Sequence, residues 1–170
     1  MEKTLRVLNE LQETGMIEKY AIGGAVAASF YMEPVATYDL DIFVVLPEKK
    51  TLLTSLSPIY EYLRGRGYQE QEAHIIIEGI AVQFIPVYSA LVEEAVVHAR
   101  ATDYGEVKTQ VLRPEYLVAI MLQTNRPKDR SRLTTFVEEA KIHEEDLEGI
   151  LKHHGLIRKW REFRRHFRAN

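Results

Sequence analysis

The chain has no cysteine among its 170 residues, and it also lacks long hydrophobic runs. The absence of cysteine excludes a disulfide framework, a cysteine-ligated zinc finger and a thiol nucleophile. No apolar run approaches the roughly 20 residues that a membrane-spanning helix needs. The N-terminal segment EKTLRVLNELQE is typical of an amphipathic helix and lacks the basic-then-apolar pattern of a secretory leader. We therefore expect a cytoplasmic protein without a membrane span.

The charge is unevenly distributed along the chain. Residues 1–112 carry nine Lys/Arg and sixteen Asp/Glu, a net charge of −7. Residues 113–170 carry thirteen and nine, a net charge of +4. The length fits one ordinary domain, or one compact domain with a helical appendage.

Apolar periodicity, glycines and prolines predict mixed strands and helices, followed by helices alone. The predicted helices are 3–14, 24–31, 48–64, 89–99, 114–123, 128–141, 144–153 and 156–167. The predicted strands are Tyr20–Ile22, Leu40–Leu46, Ile75–Ile77, Ile80–Val87 and Val107–Leu112. The order indicates an α/β or α+β core over residues 1–112 and a helical C-terminal portion over residues 113–170, packed on that core.

Residues 21–45 hold the most informative pattern, a glycine pair followed by two aspartates on a strand. Asp39 and Asp41 are two residues apart, so their carboxylates lie on one face of the strand, roughly 6–7 Å from each other. Two carboxylates this close repel unless positive charge lies between them, and Mg²⁺ prefers such oxygen ligands. Gly23 and Gly24 permit close backbone approach, as a phosphate-binding turn requires.

The residues Gly23-Gly24, a spacer and Thr37-x-Asp39-x-Asp41 resemble the signature of the nucleotidyltransferase fold, the polymerase-beta-like superfamily. Within it, the chain is similar to minimal bacterial and archaeal proteins grouped with abortive-infection toxins of the AbiE kind. The segment Arg126-Pro127-Lys128-Asp129 resembles the Arg-x-Lys-Asp segment of that branch. The resemblance covers about residues 17–135 and implies a nucleotidyltransferase-fold mixed sheet flanked by helices.

The resemblance also implies a function, the transfer of an NMP from an NTP to an RNA or protein hydroxyl with Mg²⁺ or Mn²⁺. In active members the glycine turn binds the triphosphate and the two aspartates hold the metal ions. Asp39 and Asp41 are accordingly predicted as catalytic metal ligands, and Gly23 and Gly24 as nucleotide-binding residues. A role in a toxin–antitoxin pair, with a cognate partner protein, is implied as well.

Several residues outside these four are further candidates for the site. Thr37 donates its hydroxyl to a phosphate, or it is simply the residue that begins the strand. Lys128 is predicted to bind nucleotide phosphates, whereas Asp129 is favoured as the N-terminal charge of a helix. Arg126, Arg130 and Arg132 are expected to form a basic cluster facing the cleft.

Two departures from the family pattern leave the activity open. Active members carry a third carboxylate on a neighbouring strand, and the matching position here is Gln83. The nearest acid, Glu78, is predicted to lie in a hairpin turn and to point to solvent. Met121 stands where many relatives have a lysine, and its loss weakens triphosphate binding or leaves that role to Lys128. The alternative is therefore a catalytically degenerate protein that binds nucleotide, RNA or a protein partner.

The basic tail Arg158–Arg168 has two interpretations. It binds RNA or tRNA, with Trp160 or Phe163 stacking on bases, or it forms an amphipathic helix with Trp160, Phe163 and Phe167 packed inward. The six histidines show no metal-ligand spacing. Neighbouring residues on a helix point about 100° apart, so His153-His154 does not predict a shared metal site.

Overall fold

The structure, a computed structural model, describes residues 1–34, 36–47 and 56–167. Its centre is a seven-stranded mixed sheet with the order β3-β4-β5-β2-β1-β7-β6. The strands are β1 (Lys19–Ile22), β2 (Asp39–Val45), β3 (Gln69–Gln71), β4 (His74–Ile77), β5 (Ile80–Pro86), β6 (Arg100–Tyr104) and β7 (Val107–Val111). The β2–β5 and β1–β7 pairs are parallel, and the other neighbours are antiparallel.

Helices flank the sheet and form the whole C-terminal part of the described chain. They are α1 (Glu2–Glu13), α2 (Gly24–Ala28), α3 (Ser57–Gly65), α4 (Ala90–Val97), α5 (Pro114–Thr124), α6 (Pro127–Glu139), α7 (Glu144–His153) and α8 (Ile157–Phe167). This arrangement confirms the predicted fold class, a mixed sheet with flanking helices and a helical C-terminal portion. The division of the chain at residue 112 stays a prediction.

Four elements differ from the sequence-based prediction. The strands β3 and β6 were not predicted, because QEQ and RATDY are polar, mostly exposed segments without apolar alternation. They occupy the two edges of the sheet, where polar side chains are expected. The helix predicted over 24–31 ends at Ala28, and the predicted helix 48–64 lies partly outside the described residues, since the observed α3 begins at Ser57.

The strand β2 carries both the core and the polar pocket of the molecule. Leu40, Ile42 and Val44 are fully buried in the core. The alternating residues Asp39 and Asp41 are half-buried and line a pocket on the opposite face. The sequence predicted a strand buried on both sides, whereas one of its faces opens to this pocket. Each fully buried aliphatic side chain contributes about 1.5–3 kcal/mol of folding free energy, which fixes the register that presents the two aspartates.

The helix α5 attaches the C-terminal helices to the sheet. It is buried over nearly its whole length and contacts α2, α4, α6 and α7. The buried carboxylate of Glu115 accepts a hydrogen bond from the backbone N–H of His143 (3.0 Å) and lies 3.2 Å from Arg113. Because a buried charge needs such partners, this carboxylate links the first turn of α5 to the start of α7.

The aromatic residues of α8 pack inward. Trp160 and Phe163 are partly buried against the core, and their rings stack at 5.6 Å with an interplanar angle of 19°. Their placement confirms the amphipathic-helix interpretation for these two residues, while the side chain of Phe167 lies outside the described part. Among the residues that the structure covers, no helix has the length and apolarity that crossing a membrane requires.

Candidate active site

Five of the residues predicted at the site line one pocket of about 410 Å³, whereas Gly23 and Thr37 do not line it and contact the residues that do. From the sheet side it is lined by Gly24, Asp39, Asp41 and Gln83, and from the helical side by Lys128 and its neighbours. The parallel register of β2 and β5 pairs Asp41 with Gln83. Both side chains line the same pocket, so the amide stands beside the carboxylate. The tertiary structure thus brings together residues that are more than 80 positions apart in sequence.

Glycine is required at positions 23 and 24 because other side chains pack directly against the backbone there, and not only because the chain turns. Gly24 has a φ of +58°, and a Cβ at this position would collide with the carboxylate of Asp41. A Cβ on Gly23 would collide with the ring of Phe43, and the Gly23 N–H donates to the backbone oxygen of Asp41 (2.9 Å). The glycines therefore form a cradle around Asp41, and no larger residue fits there.

Asp39 is held in place by neighbouring polar groups. The Thr37 hydroxyl donates to Asp39 Oδ1 (2.8 Å), and His74 Nε2 lies 3.6 Å from Asp39 Oδ2. The second separation is longer than a hydrogen bond, so Thr37 is the main anchor. Burial tends to raise the pKa of Asp39, but the Thr37 hydroxyl and the nearby His74 outweigh burial and lower that pKa.

This geometry bears on two residues. The hydroxyl of Thr37 is engaged with Asp39, which favours a positioning role, while phosphate binding by Thr37 stays a prediction. His74 was not found from the sequence, since it lies 35 positions from Asp39 without any motif. The antiparallel pairing of β4 with β5 brings it to the site.

The pKa of Asp41 is shifted in the opposite direction to that of Asp39. Burial and the neighbouring charge of Asp39 raise the pKa of Asp41, although Lys128, Arg126 and Arg132 oppose the shift. The ionised carboxylate is thus under-solvated in the folded protein. Two carboxylates and the amide oxygen of Gln83 form an all-oxygen donor set, which is the kind that Mg²⁺ and Mn²⁺ prefer. The residues present therefore fit a divalent cation.

The helix α6 supplies the basic wall of the pocket. Its first turn is capped by the buried Asp129, which accepts hydrogen bonds from Thr124 Oγ1 (2.7 Å) and from Arg126 Nε (2.7 Å) and N (3.2 Å). This confirms the capping role predicted for Asp129. Lys128 and Arg132, four residues apart and on one helix face, both line the pocket.

Arg130 does not face this pocket, so the prediction of three arginines at the cleft is wrong for this residue. Its Nε donates to Asn125 Oδ1 (2.9 Å), and it lines a separate groove between α6 and α8. The helical period explains the difference, because a residue two positions from Lys128 points to the other side of α6.

Gln83 is the side chain that β5 offers at the third-carboxylate position. Glu78 lies in the turn between β4 and β5 with a φ of +52°, is exposed, and accepts a hydrogen bond from Tyr68 Oη (3.0 Å). This confirms that Glu78 points away from the pocket. Met121 is half-buried and lines the pocket wall.

An apolar wall of the pocket was not identified from the sequence. In the sequence, the periodic apolar pattern of these segments indicates only helices packed in a core. The residues of this wall are Ala28, Met32, Ile85, Leu117, Ile120 and Phe136.

We expect the Asp41→Asn variant to raise the melting temperature at pH 7 without divalent metal. The pKa of Asp41 is higher in the folded state than in the unfolded chain, so ionisation costs stability as the pH rises through the folded-state pKa. Asparagine removes this cost, and the gain in melting temperature should shrink as the pH falls toward 4.

Asp39→Asn is the matched control, with a lower melting temperature expected, because the pKa of Asp39 shifts downward. Thermal unfolding with chelator measures both, and an Asp41→Asn melting temperature below that of the wild type contradicts the prediction.

The Gly24→Ala variant should lose both stability and divalent-metal binding. A left-handed backbone costs a residue with a Cβ about 1–2 kcal/mol, and the Cβ would also displace the Asp41 carboxylate. Gly15→Ala is the matched control, because Gly15 has a φ of +73° and open space around its Cβ position. It should lose stability alone. Chemical denaturation and Mn²⁺ titration of both variants make the comparison, and equal Mn²⁺ affinities would refute the cradle.

Comparisons with known proteins bear on the fold. The chain is similar to an antigenic nucleotidyltransferase-like protein from Paracoccidioides brasiliensis, with a TM-score of 0.56 and 16% identity over 99% of this chain and 93% of that chain. A solution structure of the antibiotic-resistance factor ANT(2'')-Ia has a TM-score of 0.48 and 14% identity, covering 100% of both chains. A crystal structure of ANT(2'')-Ia in complex with adenylyl-2''-tobramycin has a TM-score of 0.44 and 16% identity, covering 97% of both.

The two ANT(2'')-Ia scores are too low to support a conclusion. No protein-family model matches the chain, and neither does any curated protein sequence. The similarity to the Paracoccidioides brasiliensis protein, at 16% identity, concerns the fold alone. The chain has a nucleotidyltransferase-like fold.

Proposed function

We propose that the protein is a nucleotidyltransferase, transferring an NMP from an NTP to an RNA or protein hydroxyl. The observation that supports this most is the position of Asp41, packed on Gly24, beside Gln83 and Asp39 and opposite Lys128. The pocket has carboxylate and amide oxygens on its sheet side and basic side chains on its helical side. This arrangement suits a substrate with phosphates and a bound cation. The predicted cytoplasmic location and a role in an AbiE-like toxin–antitoxin pair belong to this proposal, supported by the sequence resemblance.

In this proposal Asp39 and Asp41 hold a divalent cation, Mg²⁺ or Mn²⁺, and Gln83 adds an uncharged oxygen. When bound, such ions stabilise negative charge on the attacking and leaving oxygens of a phosphoryl displacement. Thr37 fixes the orientation of Asp39 through its hydrogen bond to Oδ1. The acceptor hydroxyl attacks the α-phosphorus in line and releases its proton to solvent. The bond from that phosphorus to the oxygen bridging the α- and β-phosphates breaks, and pyrophosphate leaves.

The helical wall contributes the triphosphate-binding groups. Lys128 and Arg132 project into the pocket from one face of α6, and the Asp129 cap holds the first turn of that helix. Their positive charges attract the phosphates and the pyrophosphate that develops. Gly23 and Gly24 let the nucleotide approach the backbone next to Asp41.

The test is nucleotidyl transfer from each of four α-labelled NTPs, with Mg²⁺ or Mn²⁺, to cellular RNA and to protein. We expect label transfer by the wild type and a loss of at least about 100-fold in the Asp39→Asn/Asp41→Asn variant, because both charged ligands are removed. Circular dichroism establishes that the variant is folded. If the folded wild type transfers no label to either acceptor, the proposed activity is wrong.

A second candidate function, nucleotide or partner binding without catalysis, is favoured by one observation. The third-carboxylate position is the amide Gln83, and Met121 adds no positive charge to the pocket wall. An amide oxygen supplies neither a charge nor a base. A degenerate protein of this kind would bind an NTP, an RNA or a cognate toxin or antitoxin without turning over.

Substitutions of Gln83 separate the two candidates. Gln83→Glu places a third carboxylate beside Asp41, so Mn²⁺ should bind about tenfold more tightly, a gain of about 1.4 kcal/mol. Gln83→Leu, of similar size without the oxygen, should bind Mn²⁺ more weakly than the wild type. Metal titration followed by the labelled transfer assay measures both effects. Transfer that appears only in Gln83→Glu would favour the non-catalytic function for the natural chain.

A further inference from the structure

A second cluster of metal-ligand side chains lies outside the pocket around Asp41. Glu94 of α4 meets His153, the last residue of α7, and His154, which follows it. Glu94 Oε2 is 2.9 Å from His154 Nε2 and 3.8 Å from His153 Nε2. All three donor atoms lie within 4.8 Å of one another.

The two imidazoles do not diverge as a continuous helix would require. His154 is the residue at which α7 ends, with φ −96° and ψ 11°, and its ring centre lies 4.7 Å from that of His153 at an interplanar angle of 89°. Both Nε2 atoms therefore approach the same carboxylate oxygen. The helix period made a shared ligand site improbable, but here the donor atoms of both rings lie near one carboxylate where the helix ends.

The distances are compatible with one tetrahedral metal ion. Metal bonds of about 2.0–2.1 Å to imidazole nitrogen and carboxylate oxygen place tetrahedral donors roughly 3.3 Å apart. The two distances from Glu94 Oε2, 2.9 and 3.8 Å, lie on either side of that value. The His153 side chain is 72% exposed and has room to rotate by the remaining fraction of an ångström. A fourth position would face the solvent on that side.

A second layer of contacts orients the carboxylate. Tyr116 of α5 donates its hydroxyl proton to Glu94 Oε1 (2.8 Å), which leaves Oε2 directed at the imidazoles. The His154 side chain is only 8% exposed, so its position is fixed by packing. Outer hydrogen bonds to a ligating carboxylate are a regular feature of protein metal sites.

We propose that Glu94, His153 and His154 bind one Zn²⁺, or a similar transition-metal ion, and thereby link α4 to the end of α7. Two imidazoles and one carboxylate select such ions over Mg²⁺, which prefers oxygen ligands alone. Glu94 and His154 are 60 residues apart in sequence. Because α4 packs on the sheet, the bound metal would cross-link the sheet side of the molecule to the C-terminal helices. The site is independent of the proposed transfer activity, and it shares no residue with the pocket around Asp41.

The primary test is Zn²⁺ binding by calorimetry, with saturating Mg²⁺ present to occupy the pocket around Asp41. The wild type should bind one Zn²⁺ per chain, and His153→Ala should bind it at least tenfold more weakly. His153 is exposed, so its removal leaves the fold intact. The matched control is His143→Ala, an exposed histidine that precedes α7, whose Zn²⁺ affinity should equal that of the wild type.

Thermal unfolding provides an independent readout. Zn²⁺ at about 100 times its dissociation constant should raise the melting temperature of the wild type by roughly 5–10 °C. With at least tenfold weaker binding, the rise in His153→Ala should be no more than about half that of the wild type, and Mg²⁺ should not reproduce it. Visible absorption of bound Co²⁺ would report tetrahedral coordination. Equal Zn²⁺ affinities of the wild type and His153→Ala, or no binding to either, would overturn the proposal whatever the transfer assay shows.

Discussion

The packing of Asp41 against Gly24 is the contact on which the candidate active site depends. The Asp41 carboxylate occupies the position that a Cβ on Gly24 would take, and the N–H of the neighbouring Gly23 donates to the backbone oxygen of Asp41. This contact joins β1, α2 and β2 around one charge. Because Leu40 and Ile42 are fully buried on either side of Asp41, the strand cannot slip to relieve the crowding. The buried core thus holds a charged group in a position that water solvates poorly.

Electrostatic balance across the pocket follows from this placement. The pKa of Asp41 is raised by burial and by Asp39, whereas the pKa of Asp39 is lowered by Thr37 and His74. Two adjacent carboxylates therefore differ in how readily they give up a proton, although they lie on one strand. The positive charges of α6 offset part of the repulsion. A divalent cation would offset the rest, which is consistent with the proposed metal–phosphate substrate.

The C-terminal helices complete the pocket and hold its basic side. The helix α5 is buried against the core and delivers α6, whose first turn is fixed by Asp129 and whose face carries Lys128. The carboxylate of Glu115 in α5 accepts a hydrogen bond from the backbone N–H of His143 at the start of α7. At the other end of α7, His153 and His154 return to Glu94 on the sheet-packed α4. Polar contacts at the two ends of α7 therefore connect this helix to α5 at one end and to α4 of the core at the other.

The fold class, the central strand and the glycines beside Asp41 were all predictable from the sequence. Alternation along β2 and the spacing of Asp39 and Asp41 are local properties that a strand expresses wherever it lies. The cap formed by Asp129 is local as well, since its partners lie within five residues. The helical spacing of Trp160 and Phe163 is also a local property, and it predicted the face that packs on the core.

The side chains that surround Asp39 and Asp41 could be identified only from the tertiary fold. The pairing of β2 with β5 placed Gln83 beside Asp41, and the pairing of β4 with β5 brought His74 to Asp39. The polar edge strands β3 and β6 carry no apolar pattern and acquire their conformation from pairing with a neighbour. The cluster of Glu94 with His153 and His154 joins two helices whose separation in sequence is too long for any spacing rule. Its geometry exists only because the chain packs α7 against the core.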